Sequence, residues 1–178
     1  QVMEEFVNMP EVETVLAQGP TKSMVRLKSG IQCDVRVVPE ESYGAALQYF
    51  TGSKEHNVET RKIAMKKGLK LNEYGVYQQR TVLKGQKGLS SVDRRWHMVA
   101  GRTEEEVYKA LGLQWMPPEI RTASGEIEAA LTGKLPKLIP YGSLRGDLQV
   151  QSNWTDGNNS IEEMAKAAMK AGLDYIAI

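Results

Sequence analysis

A single cysteine, Cys33, serves a chain of 178 residues, so no internal disulfide can brace it. Such usage fits a reducing, cytoplasmic setting, and the place of Cys33 in a strand-like apolar run reads as an inert, buried thiol. Histidine is almost as scarce. His56 and His97 lie far apart, with no cysteine or carboxylate at zinc-ligand spacing, so the sequence argues against a structural zinc site. No apolar run approaches the ~18 residues of a membrane span, and no basic, apolar leader opens the chain. The formal net charge is only +1, so any nucleic-acid surface has to be local. Aspartate occurs at Asp34, Asp93, Asp147, Asp156 and Asp174, and no two of these form an Asp-x-Asp pair. A two-metal site needs several carboxylates to hold cations roughly 3.5–4 Å apart, and Asp34 alone cannot supply them. The first residue is Gln1 rather than Met, as expected of a piece of a longer protein.

What is present suffices for one ordinary domain or two small ones. Residues 13–16, 23–27 and 32–38 are short runs, rich in Val and Thr or alternating polar with apolar. The turns Gln18-Gly19-Pro20 and Lys28-Ser29-Gly30 separate them, which predicts an antiparallel meander. The period then changes. Residues 42–50 and 55–67 read as two helices broken at Thr51-Gly52-Ser53, and residues 71–83 return to short strands around a Tyr-Gly turn. Thr103 and Glu106 have capping-box spacing ahead of an apolar stripe that Gly112 ends. Residues 115–145 carry four prolines and several glycines, so a linker with one short helix near 127–131 is expected. A second capping box, Ser160 to Glu163, opens a helix to Ala171. With a strand on each side, residues 147–178 form a parallel strand–helix–strand unit that looks like the first step of a larger α/β domain.

Several of these residues could carry chemistry. Asp34 and Arg36 share one face of a strand, where a solvated ion pair competes with a metal-binding carboxylate. Tyr49 and Phe50 precede Gly52, which permits close backbone approach; the plain alternative is a helix end with two core aromatics. Residues 54–70 hold six basic residues against two acidic ones. A solvated helix face and a phosphate-contacting surface are both open there. Asn57 and Arg61 stand one helical turn apart on one face. His56, beside Lys54 and Asn57, suits polar contacts near nucleic acid. Trp96, Trp115 and Trp154 read as packing residues.

Taken together, Asp34-Val35-Arg36, Tyr49-Phe50-Thr51-Gly52-Ser53, Asn57, Arg61 and Leu71-Asn72-Glu73-Tyr74-Gly75 resemble, in order and spacing, the family X DNA polymerases. The likeness is to their bacterial and archaeal form, in which a polymerase core precedes a PHP (polymerase and histidinol phosphatase) domain. The resemblance implies an α+β fold. Residues 1–40 would be a nucleotidyltransferase palm β-meander and 41–114 a small α/β thumb. Residues 115–145 would be a linker, and 146–178 the truncated strand–helix–strand opening of a PHP (β/α) barrel. It implies that Asp34 is the third catalytic, metal-holding carboxylate of a site for two Mg²⁺ or Mn²⁺ ions. Tyr49, Phe50, Gly52, Ser53 and Asn57 would contact the incoming dNTP, with the Gly52–Ser53 peptide cis. Arg36, Lys54, His56, Arg61 and Lys62 would contact DNA. The first PHP motif, His-x-His with a Ser-Asp-Gly turn, is matched here by Gln149, Gln151 and Asp156, a degenerate set because glutamine carbonyls are weak metal ligands.

The expected function is therefore a share of template-directed nucleotidyl transfer in gap-filling repair. The partners would be primed or gapped DNA and dNTP, in a monomeric, non-membrane protein. The upstream Asp-x-Asp pair lies outside this chain, so the fragment alone is expected to be inactive. Two alternatives come from other classes: a PHP-type metal-dependent phosphoesterase or 3′-exonuclease, and a non-catalytic DNA-binding fragment.

Overall fold

A computed structural model describes residues 1–82 and 93–178. The chain divides into two compact units, Gln1–Leu135 and Pro136–Ile178. The first is mixed, with helices and two antiparallel sheets. It opens on helix α1 (Val2–Val7), absent from the sequence expectations, which buries Met3 and Val7 against the first strands. Strands β1 (Val12–Gln18), β2 (Lys22–Leu27) and β3 (Gln32–Arg36) then form the predicted meander in sequence order. Alternation along β2 buries Ser23 and Val25. Cys33, opposite Val25, is only half-buried, so the enclosed thiol expected from sequence is not found.

Helices α2 (Tyr43–Thr51) and α3 (Lys54–Lys66) follow the predicted pair closely. The break is chemical. Gly52 takes φ +73°, a left-handed value that disfavours a side chain, and the Gly52–Ser53 peptide is cis, as the resemblance implied. The Ser53 hydroxyl then accepts the His56 N–H at 3.2 Å and caps α3. Strands β4 (Leu69–Asn72), β5 (Gly75–Val82) and β6 (Asp93–Ala100) form the second sheet in sequence order. The Asn72 side chain makes the turn, accepting the amides of Tyr74 and Gly75 at 2.9 and 3.2 Å. The last residue of the 71–83 reading lies outside the described residues.

Helix α4 (Glu104–Ala110) starts as predicted, with the Thr103 hydroxyl accepting the Glu106 N–H at 3.2 Å. The reciprocal half of the box differs: Glu106 accepts from the amide of Arg102, not from Thr103. Against α4 lies Gly44 of α2, where a Cβ would collide with the backbone of Thr103 and Glu104. The two helices can approach this closely only because that carbon is missing. Ala45 of α2 and Ala64 of α3 continue the close packing into a core with Leu71, Val76, Val107, Tyr108, Leu111 and Leu113.

That core also contains Met116, Ile127 and Ala130. The linker expected over 115–145 is therefore corrected for its first two-thirds. Residues 115–135 pack into the first unit, and helix α5 (Glu126–Thr132) occupies the place of the predicted short helix. Prolines 117 and 118 suggested an extended connection. They lead into one 3-10 turn instead, and Met116 and Arg121 on either side of it are buried. The boundary expected at residue 40 does not separate compact units either.

In the second unit β7 (Gly146–Asp147) and β8 (Tyr175–Ile176) pair in parallel and are joined through α6 (Ile161–Lys170), as predicted. Both halves of the Ser160–Glu163 capping box are present, at 3.2 and 2.8 Å. The opening strand is shorter than expected, because the Asp147 carboxylate accepts the Gln149 N–H at 3.1 Å and turns the chain into a loop. Among the described residues of this unit only Ser152 is buried. Trp154 is 83% exposed and does not pack as the sequence suggested.

Candidate functional site

The α2–α3 break builds an open cleft of about 580 Å³, lined by Tyr49 to Lys54 and by Asn57, Val58 and Arg61. One wall is thus the end of α2 and its turn, and the other is one face of α3. The i, i+4 spacing of Asn57 and Arg61 sets both on that face. Of the sequence-predicted residues, Tyr49, Phe50, Gly52, Ser53, Lys54, Asn57 and Arg61 come together here.

Tyr49 and Phe50 meet edge to face, with ring centroids 4.9 Å apart. Phe50 is 55% exposed, so the plain reading of two core aromatics fails for it. A cation flanks each ring. The Arg61 guanidinium stands 5.1 Å from the Tyr49 centroid, and that of Arg36 stands 5.6 Å from Phe50. Such stacking holds the arginines near the rings, and the cleft lining itself carries two cations, Lys54 and Arg61, and no carboxylate. Asn57 is held by its own neighbours: Gln48 Nε2 donates to its Oδ1 at 2.7 Å, and its Nδ2 donates to the Tyr49 carbonyl at 2.7 Å.

Asp34 stands apart from the cleft lining. It accepts from Gln32 Nε2 at 3.1 Å and pairs with Lys22 at 3.7 Å, so its ionic partner is not Arg36. Arg36, two residues on, links this strand to Phe50. Lys62 is not among the residues that line the cleft, and it pairs with Glu59 at 2.7 Å. No cluster of three or more His, Cys, Asp or Glu suited to a metal exists among the described residues.

His56 requires correction as a DNA-contacting side chain. It is fully buried, with Nδ1 2.7 Å from Glu126 and Nε2 2.9 Å from the Tyr108 hydroxyl. Burial depresses its pKa below the ordinary value, against the opposing pull of Glu126. A neutral ring donating to Glu126 and accepting from Tyr108 satisfies all three groups. Burial alone would raise the pKa of Glu126; hydrogen bonds from His56, Ala123 and Ser124 outweigh it and keep the carboxylate ionised. Burial likewise pushes the Tyr108 hydroxyl up to about 12. The signal for His56 was in the sequence: His56, Thr60 and Ala64 recur at four-residue spacing and form the buried stripe of α3.

A second buried cluster escaped the sequence reading altogether. Arg121 is 2% exposed and forks onto Glu104 at 2.6 and 2.8 Å, while its Nε donates to the Met116 carbonyl at 2.9 Å. Trp115 Nε1 adds a bond to Glu104 at 3.0 Å. Burial pushes the Glu104 pKa up, but the Arg121 and Trp115 hydrogen bonds and the Arg121 charge bring it below the ordinary value. The partners stand 17 residues apart with no periodicity to join them.

In the second unit, Gln149 and Gln151 are exposed, and Gln151 Oε1 accepts from the Thr155 hydroxyl at 2.8 Å. Asp156 is exposed as well.

Residues 46–122 match the family described as the DNA polymerase beta thumb. The whole chain is 37% identical to the DNA polymerase/3'-5' exonuclease PolX of Bacillus subtilis (strain 168), of which it spans 29%. It is 33% identical to DNA polymerase lambda of Rattus norvegicus over 49% of this chain and 15% of that one. Among solved structures, the ternary gap complex of Leishmania infantum polymerase beta aligns with a TM-score of 0.49 at 28% identity, covering 67% of this chain and 47% of that chain.

Proposed function

Because this chain belongs to the family X DNA polymerases, we propose that its cleft receives the incoming dNTP during DNA-template-directed nucleotidyl transfer in gap filling. The observation that carries this reading is the cleft itself, where an aromatic pair, a side-chain-free glycine and a face of basic α3 converge. Phosphoryl transfer draws its rate mainly from positioning and electrostatics, and these residues supply both. Tyr49 and Phe50 pack against the deoxyribose. Gly52, lacking a Cβ, lets the backbone come close to the sugar beside Ser53. Asn57 spends one N–H and one lone pair on Tyr49 and Gln48, so its second N–H and second lone pair remain to read the base edge. Arg61 reaches the template strand, and Arg36, Lys54 and Lys62 meet DNA phosphates. His56 contributes only by placing the first turn of α3.

Asp34 offers one carboxylate to catalytic Mg²⁺ or Mn²⁺. One carboxylate does not fit a two-metal site, which takes several. The residues of this chain therefore do not build that site, and the chain alone is proposed to be inactive. The test is single-nucleotide extension on gapped DNA by a full-length polymerase carrying this sequence. Asp34→Ala is expected to slow extension at least about a hundredfold, the scale of removing one electrostatic partner of a transition state. DNA affinity should persist. Near-normal extension would refute the role.

A second reading concerns residues 146–178, whose parallel β7–α6–β8 unit suits the opening of a PHP phosphoesterase domain. The exonuclease named in the Bacillus relative favours it. Gln149 and Gln151 would leave such a domain poor in metal ligands, with Asp156 the remaining acidic group. Mn²⁺-dependent 3′-end degradation that survives deletion from residue 146 onward would dismiss this reading.

A further inference from the structure

The wall of the cleft at Gly52 has no side chain with which to hold itself in place. Its position depends on what its backbone neighbours are tied to. The Ser53 N–H donates not to α2 or α3 but to the Arg121 carbonyl, at 3.1 Å. That carbonyl is fixed by its own side chain, which forks onto Glu104, bonds the Met116 carbonyl and lies 5.3 and 5.9 Å from the Tyr108 and Trp115 rings. The other side of the same turn is tied through His56. Its N–H donates to the Ser53 hydroxyl, and its ring is held by Glu126. The same Glu126 carboxylate gathers the amides of Ala123 and Ser124, so the stretch from Arg121 to Glu126 is folded onto it.

We infer that residues 115–126 act as a clasp that sets the sugar-facing wall of the cleft. Arg121, Glu104 and Glu126 are then positioning residues for the choice between deoxyribo- and ribonucleotides. The inference rests on the nucleotide reading of the cleft given above. Two arguments separate this role from plain stabilisation. A buried ion pair is a weak source of stability, since apolar residues of similar volume often serve as well or better. What the Arg121 fork adds is fixed geometry, because its planar donors accept one arrangement of partners. The atoms it fixes, around the Gly52–Ser53 peptide, are those against which a 2′-hydroxyl would be judged, and a shift of an ångström there alters the fit of a ribose.

The test uses a full-length polymerase carrying this sequence and measures kcat/KM for dATP and for ATP on one primed template. Arg121→Lys keeps the charge but loses the fork, and Glu126→Ala releases His56 and two amides. Each is expected to lower the dATP-over-ATP ratio about tenfold, within the loss that ångström-scale misplacement produces. Glu126→Gln, which keeps an acceptor for His56, should recover part of it. Val7→Ala, a core truncation in α1, which packs on β1 and β2 away from the clasp, serves as the control: it lowers the melting temperature and should leave the ratio in place. An unchanged ratio in Arg121→Lys and Glu126→Ala, or an equal fall in Val7→Ala, overturns the clasp while the nucleotide reading stands. Failure of the unsubstituted polymerase to use dATP removes that reading, and the clasp with it. Arg121→Lys, the mildest change, keeps the test decisive if Glu126→Ala does not fold.

Discussion

Gln48 and Asn57 grip each other across the break between α2 and α3, with Gln48 Nε2 2.7 Å from Asn57 Oδ1 and both side chains buried. The bond fixes which way the Asn57 amide faces. Gln48→Leu leaves a buried acceptor without its donor, which costs about 1–3 kcal/mol. The urea midpoint should fall while the slope of the transition stays unchanged. A midpoint equal to that of the parent chain would show that the pair is dispensable.

Arg121→Met strands the Glu104 carboxylate in the interior. Removing one partner of a buried pair costs about 3–5 kcal/mol, because the other charge is left uncompensated. Adding Glu104→Gln to Arg121→Met removes that charge and should restore a large part of the loss. A double-mutant cycle from chemical denaturation reads this directly, and strict additivity of the two changes would contradict the pairing.

Gly44→Ala tests the closeness of α2 and α4. In an open helix the change would stabilise by about 0.5–1 kcal/mol. Here the new carbon meets the backbone of Thr103 and Glu104, which cannot move without unseating the α4 cap. Overpacking of this kind costs about 1–3 kcal/mol, so the melting temperature should fall rather than rise. An increase would mean that the helices can part at no cost.

Acid should weaken the fold in two stages. The folded-state pKa of His56 lies below its ordinary value of 6.5, so the unfolded chain binds more protons, and stability is lost as pH falls from that value toward the folded one. Glu104 and Glu126 are also depressed below their ordinary 4.5, so their contribution is present above that value and is lost as pH falls through their folded values. Thermal melts across this range should show both stages. His56→Gln, a neutral donor and acceptor, should flatten the first and leave the second. A melting temperature insensitive to pH around and just below 6.5 would contradict a neutral His56.

Much of the fold was legible because its signals are local. The meander follows from turn residues between short strands, the α2–α3 pair from the break at Thr51-Gly52-Ser53, and α6 from its capping box. The resemblance singled out Tyr49, Phe50, Gly52, Ser53, Lys54, Asn57 and Arg61, and these meet in one cleft because they are contiguous or one helical turn apart. Residues 115–135 were misread for a physical reason. Proline and glycine report on local backbone, whereas Met116, Arg121 and Ile127 are buried by partners distant in sequence. The charge on Arg121 also argued for the surface, and only Glu104, met through the fold, makes its burial tolerable. The polar neighbours of His56 point to the surface, whereas its four-residue period with Thr60 and Ala64 points to the core, where the fold puts it.

The contact between His56 and Glu126 joins residues 70 apart in the chain. During synthesis, helices α2 and α3 leave the ribosome well before the segment that completes their junction. The hairpin of helices can form from its own local contacts, but the cleft between them cannot reach its final shape until residues 121–126 have followed and docked. Closing so long a loop has an entropic cost that local helix formation does not. The order of events is therefore built into the chain: scaffold first, site last.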